Sequence, residues 1–329
     1  VRQATAGSFP QASPTATERG RKANAPSSGC HNIVEEYALK KTARLRQLLK
    51  EPGIIVMPMV YDCLSAKLVQ RAGFAVVATT GQGIAASFLG VSDFDLITQT
   101  EMVWVTRNIA SAVSIPVVAD ADTGYGGPLN MMRTVQEFEK AGVAGIYFED
   151  QHMPKRAGYF KGVQLISRGE MVAKIKAAVE AREDPDLVLI ARTDALATDG
   201  FDEAIERANL YQEAGADVTF VVIAAPIPEE DIRRVAQEVR APSILNQAEG
   251  GAVPLYTAQQ VEEMGFKIYS FSNTLMRTAG KAMENVLVEI RQAGTSRAFV
   301  DKMFTFQERD DILDLSSIYE LEAKFQVQE

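Results

Sequence analysis

The feature that most constrains this chain is an alternation. Short runs rich in Val, Ile and Phe recur eight times: IIVMPMV (54–60), FAVVATT (74–80), PVVADAD (116–122), AGIYFED (144–150), LVLIART (187–193), DVTFVVI (217–223), PSILNQA (242–248) and FKIYSFS (266–272). Between them lie longer segments with helical patterning, such as MMRTVQEFEKAG, EMVAKIKAAVEARE, FDEAIERANLYQEAGA and EEDIRRVAQEV. Some of these close on an Ala-Gly pair just before the next apolar run, a helix C-cap signal. Strand–helix alternation predicts a parallel sheet covered by helices. Eight such units predict a closed (β/α)8 TIM barrel, for which 329 residues leave room at both ends. An open doubly wound sheet would need a glycine-rich phosphate loop after its first strand, and VYDCLSAK is not one.

The flanks divide the chain further. Residues 1–30 are rich in Ala, Ser, Thr and Pro and read as a disordered tail. Their several Arg and single acid also admit an organelle-targeting peptide. The barrel is expected over residues 31–295. It includes an amphipathic helix at 34–50 that would cap the barrel bottom. Residues 296–329, with LSSIYELEAKF, read as a C-terminal helical extension.

Charge and rare residues then exclude whole function classes. A net charge of −9 lacks the basic footprint of a nucleic-acid binder. No apolar run approaches the roughly 18 residues of a membrane span. Two cysteines, Cys30 and Cys63, cannot staple a fold, which points to a reducing compartment such as the cytoplasm. Of the two histidines, His31 lies in the tail, leaving His152 as the one imidazole of the folded part. A His/Cys zinc site is thereby excluded, and a Ser-His-Asp triad would need His152. Any metal must be held mainly by carboxylates, which favours Mg²⁺ or Mn²⁺.

Barrel enzymes carry their chemistry at the carboxyl ends of the strands. Those ends bear Tyr61 and Asp62, Thr80 to Gly83, Asp120 and Asp122, Glu149 and Asp150, Arg192 and Asp194, and Asn246, whereas the sixth run, TFVVIAAP, carries no charge. Asp120 and Asp122, two apart, share a strand face if the strand continues through both. Two carboxylates so close need a cation between them or a proton on one. Solvated turn acids are the plain alternative, but Glu149 on the adjacent strand end shifts the balance to a hard cation. Arg192 beside such a cation is a natural carboxylate clamp, its alternative being an internal salt bridge to Asp194 or Glu149. Gly81 and Gly83 in TTGQGIAAS would let backbone N–H groups approach an anion.

DADTGYGG (120–127), FEDQ (148–151), ARTDA (191–195), AGAD (214–217) and the NxxEGG run (246–251) together resemble the isocitrate lyase/phosphoenolpyruvate mutase superfamily over roughly residues 42–325. The likeness is to its short members: methylisocitrate and dimethylmalate lyases, oxaloacetate acetylhydrolase, petal-death-type enzymes and carboxyphosphonoenolpyruvate phosphonomutase. The resemblance implies a (β/α)8 barrel that uses Mg²⁺ on 2-oxo or enolate species. It also implies a homotetramer or dimer exchanging the last barrel helix. By it, Asp120 is the direct metal ligand, with Asp93, Asp122 and Glu149 acting through water. The Gln82-Gly83-Ile84 backbone and Arg192 would grip a carboxylate, Tyr61 would lie against it, and Asn246 and Glu249 would meet a distal one.

Three departures stand out. Where the lyases carry Lys-Lys/Arg-Cys-Gly-His on the loop after the fourth strand, this chain has Lys155-Arg156-Ala157-Gly158-Tyr159. The group expected to transfer a proton is thus an alanine, and Tyr159 or His152 is left to replace it; Lys155, Arg156 and Tyr159 of this loop, with Tyr61 and Arg192, are the expected catalytic residues. The glutamate expected at the end of the sixth strand is missing from VVIAAP, and Gln82 stands where many relatives have a hydroxyl residue. The expected function is Mg²⁺-dependent cleavage of a C–C bond next to the carbonyl or hydroxyl of a small, oxaloacetate-like 2-oxo or 2-hydroxy dicarboxylic acid, through a metal-stabilised enolate. Phosphonomutase-type P–C chemistry, or a diacid-binding member without catalysis, are the alternatives.

Overall fold

The computed structural model describes residues 39–326. The expected tail, and the first residues of the helix expected at 34–50, lie outside them.

All eight apolar runs become parallel strands: β1 (Ile55–Val60), β2 (Val77–Thr79), β3 (Val117–Asp120), β4 (Gly145–Glu149), β5 (Val188–Thr193), β6 (Val218–Val221), β7 (Ile244–Gln247) and β8 (Ile268–Phe271). They pair in the order β6-β5-β4-β3-β2-β1-β8-β7. A parallel bridge between Thr219 and Ser243 joins β6 to β7 and closes the barrel. The fold class read from the alternation is the one observed.

Two apolar layers follow from strand pleating. Met57, Met59, Val118, Ile190, Val218 and Ile244 point inward and fill the barrel. Neighbours on the other face, such as Val60, Val117, Ile146 and Leu189, pack under the helices. The helix Lys41–Lys50 inserts Leu45 and Leu48 among the interior residues, so the amino-terminal end of the barrel is stoppered and only the carboxyl end is open. Leu45 is close enough to Gly145 that a β-carbon there would sit 3.3 Å from its Cδ2.

The last barrel helix differs from the rest. Thr274–Ala293 has no buried residue, and Met283, Leu287, Val288 and Ile290 are exposed along it. The helices beyond it, Phe306–Ile312 and Leu315–Phe325, expose Phe306, Leu321 and Phe325 while burying Ile312. Among the described residues no helix is long and apolar enough to cross a membrane.

Candidate active site

β3 ends sooner than its sequence suggests. The strand stops at Asp120, and Asp122 has φ +47°, in the left-handed region. Asp122 therefore reaches the barrel mouth through a turn, not by strand alternation through both acids. Short polar groups tolerate that conformation better than others do. The turn is fixed from several sides. The Asp122 N–H donates to Asp120 Oδ1 (3.1 Å), the Tyr125 hydroxyl to Asp122 Oδ2 (3.0 Å), and the Glu149 N–H to the Asp122 carbonyl (2.8 Å).

Asp120 is positioned from β2. Its own N–H donates to Thr79 Oγ1 (2.8 Å), and its Oδ2 accepts the Gly81 N–H (2.8 Å). A β-carbon at position 81 would lie 2.8 Å from that oxygen, so only glycine brings the backbone this close to the carboxylate. Residues Gly81–Ile84 form one helical turn capped by Thr80, to which the Gly83 and Ile84 N–H groups are directed. This narrows the expectation for the Gln82-Gly83-Ile84 backbone. Gln82 faces the cavity, whereas Gly83 packs against Tyr61 and neither Gly83, Ile84 nor Tyr61 lines it.

The cavity measures about 480 Å³ and lies at the carboxyl ends of the strands. Gln82, Asp93, Asp120, Tyr159, Arg192, Asn246 and Glu249, all singled out in the sequence, line it together. Asp122, Glu149 and Lys155 stand immediately behind. Arg192 makes the internal pairs that were the alternative to a clamp and still faces the cavity. Its Nη1 lies 2.9 Å from Glu149 Oε2, and its Nε and Nη2 donate to the two oxygens of Asp194 (3.1 and 2.9 Å). Asp194 is in turn held by the buried Asp150, which accepts its N–H and the hydroxyls of Thr193 and Tyr211.

The loop after β4 is folded over this cluster. The buried Lys155 ammonium sits 2.7 Å from both Asp93 Oδ1 and Asp122 Oδ1. Burial alone would lower its pKa, but Asp122, Glu149, Asp93 and Asp120 hold it well above the usual value. Arg156, expected at the site, turns away. Its Nη1 donates to the Lys161 carbonyl (2.6 Å) and its guanidinium lies over Phe94, because Lys155 already fills the space between the acids. A β-carbon at Gly158 would come within 2.4 Å of Asp194 Oδ1, so glycine lets the loop settle against the Arg192–Asp194 pair. Tyr159 then projects to the cavity, its hydroxyl 3.3 Å from Gln82 Oε1 and its ring edge-on to Phe160, which stacks on Phe94. His152 lies elsewhere, its Nδ1 2.8 Å from the Met153 carbonyl, and does not line the cavity.

The acids behind the cavity are under electrostatic strain. Burial and the neighbouring Asp122 push Asp120 up to about 6, and burial raises Glu149 strongly despite Arg192. Asp95, which the sequence reading missed, is also pushed up to about 6 by burial and by Asp122. Glu149 Oε1 is buried without a hydrogen-bond partner, and Asp122 Oδ1 has the Lys155 charge near it but no well-directed bond. Buried anions left in this way are costly unless a cation completes them. Among the described residues no three His, Cys, Asp or Glu side chains converge as a ready-made metal cage. The donor set is all oxygen, with the buried Glu149 Oε1 and Asp122 Oδ1 both lacking a hydrogen bond, and this fits a hard cation that keeps part of its water shell.

The other side of the cavity is chemically different. Phe220, Val222, Ile223 and Ala224 at the end of β6 form an apolar wall. At β7 and β8, Asn246 bonds Ser270 and Ser272, while Glu249 is tied to Thr274 and to Arg277. Arg277 and Asn273 were missed, because each reads as an ordinary residue at a helix start.

A stoppered barrel with buried carboxylates, an arginine and a covering loop at its open end has the layout of a barrel enzyme's active site. Known proteins agree. A family profile described as phosphoenolpyruvate phosphomutase matches residues 45–291. The chain is 42% identical over 287 residues to a 2,3-dimethylmalate lyase of Eubacterium barkeri, covering 87% of this chain and 99% of that one. It superposes with a TM-score of 0.81 on oxaloacetate acetylhydrolase in complex with 3,3-difluorooxalacetate, at 34% identity over 87% of this chain and 97% of that one. A phosphonopyruvate hydrolase complex with oxalate and Mg²⁺ superposes at 0.80, with 30% identity over 87% and 99% of the two chains. The chain belongs to the isocitrate lyase/phosphoenolpyruvate mutase superfamily and is an enzyme of its carbon–carbon lyase and hydrolase type.

Proposed function

We propose that this enzyme cleaves the C–C bond next to the carbonyl or hydroxyl of a small, oxaloacetate-like 2-oxo or 2-hydroxy dicarboxylic acid. The observation that carries the reading is the unsatisfied, buried Glu149 Oε1 beside Arg192 and behind the Asp120 wall of a 480 Å³ cavity. Asp120 would hold a Mg²⁺ or Mn²⁺ ion directly, with Asp93, Asp122 and Glu149 reaching it through water. The chemistry such an ion supplies when bound is electrostatic stabilisation of negative charge developing on the substrate oxygens. Arg192, fixed by Asp194 and Glu149, clamps the carboxylate next to the reacting carbon. Gln82 meets the same end of the substrate.

Tyr159 is the group placed to carry the proton. Burial and Asp93 raise its pKa, so it stays a donor at neutral pH. In a 2-hydroxy acid the hydroxyl loses its proton to solvent and its C–O becomes C=O, whereas in a 2-oxo acid a water first adds to the carbonyl and becomes the new carboxyl oxygen. In either case the electron pair of the broken C–C bond stays on the departing carbon, which takes the phenolic proton, and solvent reprotonates the phenolate. The apolar face of Thr274–Ala293 and the helices beyond it would be covered by another copy, in a dimer or tetramer that exchanges this helix.

Turnover of oxaloacetate, dimethylmalate and methylisocitrate with Mg²⁺ tests the reading, and no activity on any of them sinks it. The phosphonopyruvate hydrolase likeness supports P–C bond chemistry as the second reading, which phosphonopyruvate followed by phosphorus NMR separates. Oxalate binding with no turnover at all would leave a diacid-binding member.

A further inference from the structure

We infer that Lys174 is a positioning residue of the cation site, its buried ammonium pinning the left-handed turn that presents Asp122. The inference rests on the reading of Asp120 and Asp122 as holders of a divalent ion given above. Lys174 belongs to the helix Arg168–Ala181, on the buried face that also carries Met171, Ile175 and Ala178. Only 2% of it is exposed, and a lysine is almost never buried to that extent without a partner. The partner is the Thr123 carbonyl, which directly follows Asp122 and accepts the Lys174 ammonium. Burial lowers the pKa of Lys174, opposed by the nearby charges of Glu170, Glu149 and Asp150. An apolar side chain would suit this face without the cost of burying a charge, so packing alone gives no reason for a lysine.

The turn supplies the reason. Asp122, Gly124, Tyr125 and Gly126 have φ of +47°, +77°, +58° and +140°. Two of the four carry side chains, and such conformations persist only where the surroundings over-determine them. Three successive carbonyls of the turn are held from three parts of the barrel. That of Asp122 accepts the Glu149 N–H at the end of β4 (2.8 Å), and that of Thr123 accepts Lys174. That of Gly124 accepts the Thr134 hydroxyl from the helix Pro128–Lys140 (3.0 Å). Of these three bonds the one from Lys174 is charge-assisted, the stronger kind. A buried ammonium here acts on a bound cation in two opposite ways. As a charge it repels the ion, and as a pin it keeps Asp122 where the ion needs it. The pin should win, because the charge is already offset by Glu170, Glu149 and Asp150, whereas nothing else holds the Thr123 carbonyl among the described residues.

The two effects have opposite signs, and this makes the test sharp. Full-length wild type, Lys174→Met and Lys174→Arg are titrated with Mn²⁺ in the presence of oxalate, following the free ion by electron paramagnetic resonance, and their melting temperatures are measured alongside. Lys174→Met keeps the length of the side chain and removes its charge and donors. It should weaken Mn²⁺ by about 10- to 100-fold, the usual loss of a bond to a charged group. Lys174→Arg, which keeps a charged donor, should fall between that variant and wild type. Thr134→Val frees the next carbonyl without touching a charge and should weaken Mn²⁺ a few-fold. It keeps the test open should Lys174→Met fail to fold, and an unchanged affinity there overturns the pinned turn. A lower melting temperature in Lys174→Met with the Mn²⁺ affinity of wild type would make Lys174 a support of the fold alone and overturn the inference. Tighter Mn²⁺ binding in Lys174→Met, as the loss of a repelling charge would give, overturns it as well. Wild type that binds no Mn²⁺ overturns the reading of the cation site, and this inference with it.

Discussion

The carboxyl ends of β2 to β5 and those of β6 to β8 enclose one cavity with opposite means. On the first side Lys155 pairs with Asp93 and Asp122, Arg192 pairs with Glu149, and Asp120 lies buried among them. On the second, β6 offers only Phe220 and aliphatic side chains, and the polar groups of β7 and β8 are mostly neutral. The first side stores unfavourable charge that, under the proposed function, a cation and an anionic substrate would relieve. The second stores none, so it contributes shape and a distal contact. The proposed function thereby assigns chemistry to one half of the barrel mouth and selectivity to the other.

Removing the proton carrier should break the charged half most severely. Tyr159→Phe is expected to lower kcat by about 10² to 10⁴ with little change in KM, while His152→Gln changes neither. Equal losses in both variants, or no loss in the first, would remove Tyr159 from that role. Next in size is the clamp. Arg192→Lys keeps the charge but cannot pair with Glu149, Asp194 and a substrate carboxylate together, so kcat/KM should fall by about 10²-fold or more. A lysine variant within a few-fold of wild type would show that charge alone suffices.

The smallest effect is on stability. Asp120 and Asp95 are both raised to about 6, above their ordinary value in the unfolded chain. The folded state thus binds more protons between pH 4 and 6, and these two groups make the metal-free protein less stable as pH rises through about 6. Under the proposed function Mg²⁺ would offset that loss by binding the ionised form. The rise in Tm caused by Mg²⁺ should therefore grow from pH 5 to pH 7. A rise independent of pH would place the ion away from Asp120.

Much of this was legible in the residues. The apolar runs and capped helices led to the barrel because hydrophobic period and chain topology leave few other solutions. The acids at strand ends were visible for the same reason, since strand ends in a barrel share one mouth. What stayed hidden depends on contacts far apart in sequence. Nothing local in Lys155-Arg156 tells which of the two enters the acid cluster; the choice follows from Asp93 and Asp122 meeting 29 residues apart. The left-handed turn at Asp122 and the partnership of Glu249 with Arg277 are hidden likewise.

The central claim is that the charged half is a divalent-cation site centred on Asp120. It is tested most directly by titrating wild type and Asp120→Asn with Mn²⁺ in the presence of oxalate, following the free ion by electron paramagnetic resonance. One ion per chain in wild type and a loss of affinity of about 10²-fold or more in the variant is the predicted result, as expected when a buried charge loses its partner. No bound Mn²⁺ in wild type, or the same affinity in both proteins, would contradict it.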